Sequence, residues 1–282
     1  MEGVLIINKE KNMTSHDVVG KLRRILKTKK IGHAGTLDPL ATGVLVIGVG
    51  RATKLLQFLM ADKKIYRATL KLGYSTTTYD LEGDITKEKK FENDISVDTI
   101  VSVLDTFLGD SMQMPPIYSA IKKDGKALYE YAREGIDVQV EPRPIHISEI
   151  SLVNFENDEI TFDVVCSKGT YIRSLCVDIA EKLNYPGVMS NLLRIQSGLF
   201  NLNDAVLLKD VEEGNFKMIE VDDALKTLPS YVVDDASIVF NGKKIKSEIN
   251  NQVAVYDQEG HLLAVYGPDG NGYLKSIRGL WS

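Results

Sequence analysis

Apolar residues first gather between Gly3 and Asn8, where Val4, Leu5, Ile6 and Ile7 predict a buried strand. Thr14 and Asp17 follow in a capping-box arrangement, in which a hydroxyl and a carboxylate satisfy free N–H groups at a helix start. The helix after them places Val18, Val19, Leu22, Ile25 and Leu26 on one stripe and leaves Lys21, Arg23, Arg24 and Lys27 toward its flanks and outside. From Ile31 to Gly43 the chain carries three glycines and a proline, which predicts a shaped loop feeding a buried strand from Val44 to Gly50. Lys64 to Gly73 alternates as a strand, Val97 to Leu108 has helical spacing closed by Gly109, and Ala127 to Glu134 reads as a short helix closed by Gly135.

Ile145 to Phe155 and Ile160 to Cys166 predict a hairpin turning at Asn157-Asp158. Ser167 to Thr170 then turns into a helix from about Tyr171 to Leu183, ended by Pro186 and Gly187. Leu192 to Leu202 predicts a further strand, and Ile219 to Leu228 a last helix stopped by Pro229. Beyond Pro229 the short β-type runs Val253 to Tyr256, Leu262 to Tyr266 and Tyr273 to Ile277 are split by glycine-rich turns. The pattern predicts two units, 1–229 and a compact β module at 230–282.

The 282 residues carry 34 basic and 39 acidic side chains, a net charge of −5. The longest stretch free of Asp, Glu, Lys and Arg runs from Pro39 to Gly50, short of the ~18 apolar residues of a spanning helix, so no membrane segment is expected. Cys166 and Cys176 stand ten apart, a spacing that fits neither a disulfide framework nor a paired metal site, and a reducing cytoplasm is the expected setting. Between Lys21 and Lys30 the charge is uneven: six basic residues, Arg23, Arg24, Lys27 and Lys30 among them, and no acid. Such a stripe can hold phosphates locally on an acidic body, because screening over ~8 Å lets near charges outweigh far ones.

Nucleotide-loop motifs are excluded. Gly43 to Gly48 has a phosphate loop's glycine spacing, but Val49 stands where the lysine belongs, and Gly48-Val49-Gly50 is followed by Thr53 in place of a third glycine. His16, His33, His146 and His261 are scattered, so no metal site is expected. What remains is Asp38, an acid in a glycine-rich, apolar segment fixed by Pro39. A carboxylate there can act as nucleophile or general base and needs a cationic neighbour to stay ionised if buried. Arg173, in the first turn of the helix after Tyr171, is the candidate partner, through a two-pronged contact. Tyr66, opposite Ile65 and Arg67 on its strand, offers an aromatic face, although strand tyrosines usually only pack.

The segment His33-Ala34-Gly35-Thr36-Leu37-Asp38-Pro39-Leu40-Ala41-Thr42-Gly43 resembles the signature of the TruB family of tRNA pseudouridine synthases. Lys9 with Thr14-Ser15, Gly50-Arg51-Ala52-Thr53-Lys54, Lys64-Ile65-Tyr66, the run Cys166 to Arg173 and Leu192-Leu193-Arg194 resemble it in the same order, across most of residues 3 to 200.

The resemblance implies an α+β pseudouridine synthase fold, with a central mixed, mainly antiparallel sheet flanked by helices and a small C-terminal β-rich, PUA-like module contacting RNA. It implies isomerisation of uridine 55 in the T loop of tRNA by base flipping, with no cofactor, no obligatory protein partner and a monomeric enzyme. It assigns nucleophile to Asp38, base stacking to Tyr66, active-site roles to Tyr171 and Arg173, a pocket wall to Leu192 and a flipping role to His33. Met114 to Arg143 resembles the RNA-gripping insert.

Unstacking costs a few kcal/mol, which an aromatic face can partly return. Tyr66 is also a candidate base for the C5 proton if the pocket tunes its phenol. The chain departs from the family at Glu10 and Asn12, where Pro and Gly are usual, and at Ser276, where Pro is common; altered loop rigidity is expected there, with the chemistry intact. Two alternatives stand beside this reading: a non-catalytic tRNA-remodelling protein, and a guide-RNA-dependent synthase, whose longer C-terminal extensions are not seen in this sequence.

Overall fold

The computed structural model describes residues 1–60 and 63–280. Strand β1 (Gly3–Lys9) lies in the middle of the core, with Val4 to Ile7 almost wholly buried. Helix α1 (Ser15–Ile25) starts at the Thr14 cap: the Asp17 amide donates to Thr14 Oγ1 at 3.0 Å, and the Thr14 amide to Asp17 Oδ2 at 2.8 Å. These bonds hold the Asp17 carboxyl below its usual range. Val18, Val19 and Leu22 bury the expected stripe.

The supposed loop after α1 begins as strand β2 (Ile31–Ala34), which pairs antiparallel with β3 (Thr42–Val49). Its glycine and histidine hide this pairing from the sequence pattern. Strand β4 (Lys63–Leu72) alternates, with Tyr66, Ala68, Leu70 and Leu72 on the core side. Helix α2 (Val97–Asp105) ends short of the expected Leu108, and β5 (Gly109–Gln113) follows. Within the 114–143 segment lie a two-residue hairpin (Lys122–Lys123 with Lys126–Ala127) and α3 (Leu128–Arg133). Strands β6 (Arg143–Glu156) and β7 (Glu159–Ser167) form the hairpin at Asn157-Asp158, and α4 (Ile172–Lys182) follows.

Two expectations are corrected. The single strand from Leu192 to Leu202 is β8 (Gly187–Ser197) and β9 (Phe200–Asn201), folded against one another across Gly198-Leu199, which breaks the run. The helix expected from Ile219 to Leu228 is one turn, Val221–Ala224, while Ile219 exchanges two main-chain hydrogen bonds with Val4 and so is held extended. Helix α5 (Leu208–Glu212), which the sequence pattern does not predict, packs against α1 and β1.

The large sheet runs β1-β3-β8-β4-β7-β6-β5, with β2 added to β3 and β9 to β8. It is antiparallel throughout except between β3 and β8, where Thr42 and Gly43 face Leu193 and Arg194. This one parallel junction joins the end of the Asp38 segment to Leu193 and Arg194 within β8. The C-terminal sheet holds β10 (Ser230–Val232), β11 (Ile245–Lys246), β12 (Val253–Tyr256), β13 (Leu262–Pro268) and β14 (Tyr273–Gly279), in the order β10-β12-β13-β14-β11. Its own core gathers Val239, Val253, Val255, Tyr266 and Leu274, while Val265 and Leu280 pack with Val4, Ile6, Val44 and Val46 of the large sheet. Among the described residues no helix is long and apolar enough to cross a membrane.

Candidate active site

Asp38 sits between two buried anchors, Leu37 and Ala41, which fix the loop in the core while leaving the carboxylate 37% exposed. Pro39 has no N–H, and its carbonyl does the holding. It accepts from the Asn12 amide at 3.0 Å and from Lys9 Nζ at 3.2 Å. Lys9 is fully buried and also donates to the carbonyls of Met13 at 2.7 Å and Glu10 at 3.0 Å. Burial pushes its ammonium down to about 8, against a pull upward from Asp38. Ser15 completes the seat, its Oγ accepting from the Leu37 amide at 2.9 Å and donating to the Leu37 carbonyl at 3.2 Å. Asn12, at a usual glycine position of the resembling family, takes φ +63; asparagine tolerates this left-handed conformation, so the departure leaves the turn's shape intact.

Arg173 Nε lies 2.9 Å from Asp38 Oδ2. Its side chain is 7% exposed, so the ion pair is shielded on the arginine side and open on the carboxylate side. The contact runs through Nε and not as the expected two-pronged pairing, because the terminal nitrogens are engaged elsewhere. Nη1 donates to the Thr78 carbonyl at 2.9 Å and Nη2 to the Tyr118 carbonyl at 2.8 Å. A second carboxylate, buried Asp80, stands 3.6 Å from Nη1 and is itself fixed by Thr78 Oγ1 at 2.5 Å and the Glu82 amide at 3.1 Å. The guanidinium is thus pinned on three sides and presents its remaining edge to Asp38. Such a cation fixes the position and orientation of the carboxylate it faces.

Tyr171 caps α4, and its backbone is locked to β5: its amide donates to Gln113 Oε1 at 2.8 Å and its carbonyl accepts from Gln113 Nε2 at 3.0 Å. Burial pushes its phenol up, with Asp38 adding to the rise and Arg143 and Arg173 opposing it. Tyr66 is buried on β4, across from Arg194 on β8 and Val164 on β7. Its phenol is also raised, by burial first, against the pull of Arg194. The hydroxyl is therefore protonated in the resting protein, and a role in taking the C5 proton requires the substrate's arrival to lower it. Leu192 is buried across from Ala68, in the same apolar cluster as Tyr66. His33 lies on β2 with its ring edge-to-face against His16, centroids 5.3 Å apart. Burial, then the charges of His16 and Arg194, lower its basicity, and its Nδ1 is buried with no hydrogen-bond partner.

The structure brings Asp38 and Arg173 into contact and puts the fields of Asp38 and Arg173 on Tyr171, and of Asp38 on Tyr66. Arg23, Arg24, Lys27 and Lys30 lie apart, exposed along and just beyond α1. Among them Arg23 has structural work, donating through Nη2 to the Ile31 carbonyl at 3.0 Å. Sequence reasoning misses Asp80, Gln113 and the buried cation of Arg194. Arg194 lies within a resembling segment, but Asp80 sits in a turn of polar residues without a periodic signal.

The TruB family pseudouridylate synthase N-terminal domain matches residues 23–172, and the tRNA pseudouridylate synthase B C-terminal domain matches residues 173–229. A tRNA pseudouridine synthase B of Bacillus cytotoxicus is 44% identical over 99% of this chain and 97% of its own length. One of Clostridium perfringens is 43% identical over 97% of each. Among solved structures, Cbf5 in a Cbf5–Nop10–Gar1 complex shares the fold, with a TM-score of 0.76 at 24% identity over 99% of this chain and 85% of that one.

Proposed function

Because the chain belongs to the TruB family of pseudouridylate synthases, we propose that it isomerises uridine 55 in the T loop of tRNA to pseudouridine. The observation that carries this reading is the half-open ion pair: Asp38 Oδ2 is held 2.9 Å from a buried guanidinium while its side chain stays accessible to a nucleoside. A stacked uridine cannot present its glycosidic carbon to such a group, so the nucleotide must swing out of the T loop. Tyr66 offers an aromatic face, Leu192 an apolar wall, and His33 an imidazole for the space that the uridine leaves.

In the reaction the bond from C1′ to N1 breaks and one from C1′ to C5 forms. The C5 proton departs and N1 ends protonated, so atoms balance without an oxidant, reductant or nucleotide. Asp38 supplies the carboxylate oxygen for the detachment, and Arg173 holds that oxygen in place through the 2.9 Å ion pair. Tyr171, tied to Gln113 through its main chain, lies within the electrostatic reach of Asp38 and Arg173. We assign residues 1–229 to the catalytic domain, 114–143 to an insert that grips RNA, and 230–282 to a small RNA-contacting module. The exposed cations of α1 meet phosphates, and the enzyme works as a monomer in the cytoplasm on a T stem-loop, with no protein partner.

The test is to incubate the protein with an unmodified tRNA transcript, without added metal or nucleotide, and map pseudouridine at single-base resolution. The expected product is pseudouridine at position 55 alone. Absence of product, a product elsewhere, or a requirement for an added guide RNA overturns the reading.

A further inference from the structure

Arg194 is 1% exposed and takes no part in the chemistry just described. A buried guanidinium is costly unless every donor finds a fixed acceptor. Here Nε donates to the Val44 carbonyl at 2.7 Å, Nη2 to the Gly35 carbonyl at 3.0 Å and Nη1 to the Thr36 carbonyl at 3.3 Å. Those carbonyls belong to the two limbs of the segment that carries Asp38, Gly35 and Thr36 before it and Val44 after it. To satisfy the cation, their peptide planes must turn inward, which leaves the short span between them little freedom.

The main chain of the same residue closes the bracket. Gly43 faces Arg194 in the parallel junction, with φ +97, and a Cβ added there would collide with the Arg194 carbonyl. Gly35, with φ +86, offers its carbonyl to the guanidinium. Both glycines that bound Asp38 are therefore shaped around residue 194. Across the antiparallel ladder the partner of Arg194 is Tyr66. One side chain thus touches the loop that bears the carboxylate and faces the residue that offers the aromatic surface.

We propose that Arg194 is a positioning residue of the isomerase site: a buried cation that fixes the Asp38 loop at both limbs and holds it in register with Tyr66. The inference rests on the reading of this site as a uridine isomerase. Charge supports the geometry. The groups that act on the Tyr66 phenol are Arg194 from β8, Cys166 from β7 and Asp38 from the loop, and among them Arg194 alone favours the phenolate.

The test uses the full chain with Arg194→Gln and Arg194→Lys, each checked for folding by circular dichroism. The glutamine variant loses charge and fork; the lysine variant keeps the charge and loses the three-carbonyl geometry. Both are expected to bind unmodified tRNA as the native protein does and to lose about 10²-fold in single-turnover conversion, the scale of a small misplacement of reacting groups. The Tyr66 ultraviolet titration, identified by difference against Tyr66→Phe in each background, is expected to move to higher pH in the glutamine variant only.

A folded variant that converts at the native rate overturns the proposal. So does a loss that appears wholly as weakened tRNA binding, or an unmoved Tyr66 titration in the glutamine variant. If only the lysine variant folds, its rate decides; if neither folds, Arg194 belongs to the fold alone and the proposal fails. An inactive native protein counts against the isomerase reading, whereas an active native protein indifferent to Arg194 counts against this inference only.

Discussion

Two sets of cations in this chain obey different physics. Lys9, Arg173 and Arg194 are buried and bonded to main-chain carbonyls at 2.7 to 3.3 Å, so each fixes a particular piece of backbone. Arg24, Lys27 and Lys30 on and after α1 are exposed and keep their conformational freedom. Charge near the reacting atoms is effective when it is held in place beforehand, because it then costs no reorganisation. Charge facing a polyanion needs only to be close, and salt screens it. Arg23 stands between the two sets, exposed along the helix yet tied to the Ile31 carbonyl.

The contrast can be tested by removing charge from each set. Arg173→Gln leaves Asp38 and Asp80 without the cation between them and is expected to lower single-turnover conversion by about 10³-fold, or ~4 kcal/mol, with tRNA affinity nearly kept. Equal losses in affinity and rate would place Arg173 among the phosphate binders. Tyr66→Phe keeps the stacking face and removes the hydroxyl; a loss of about 10²-fold is expected if the phenol takes the C5 proton, and a native rate would leave it only the stacking role.

Lys9→Met strands three carbonyls and should destabilise the fold by roughly 3–5 kcal/mol in urea unfolding. Its pH dependence has a definite sign. The folded ammonium releases its proton near about 8, whereas an unfolded lysine keeps its own to ~10.4, so the unfolded state binds more protons between those values. The native protein should therefore gain stability relative to the methionine variant as pH rises through that window, and the cost of the buried charge should be fully present below it. A difference independent of pH would show that Lys9 stays charged throughout.

The smallest effect is expected on the exposed side. Neutralising Arg24, Lys27 and Lys30 together should weaken tRNA binding and flatten its salt dependence by about 0.9 in slope for each phosphate that is no longer paired with a cation. Conversion at saturating tRNA should be unchanged. An unchanged slope would make the stripe solvated surface.

Legibility in the sequence follows the same division. Strands with a clear alternation or apolar run, such as β1 and β4, and helices with a cap and stripe, such as α1, can be read because local propensity and burial agree. Strand β2 resembles a loop because Gly32 and His33 interrupt its apolar pattern, and the helix expected after Ile219 is overridden by pairing with Val4. Asp38 stands out as an acid among glycines and apolar residues. Its surroundings do not: Asp80 is far along the chain, and nothing local shows that Arg194 turns its guanidinium inward onto Gly35, Thr36 and Val44. Contacts made across the sheet leave no periodic trace.

The most direct measurement is the conversion of an unmodified T stem-loop by Asp38→Asn beside the native protein, with binding followed in the same samples. The amide keeps the shape of the side chain and removes the anionic oxygen. The account predicts that the variant binds the RNA and yields no pseudouridine; conversion by the variant at the native rate would contradict it.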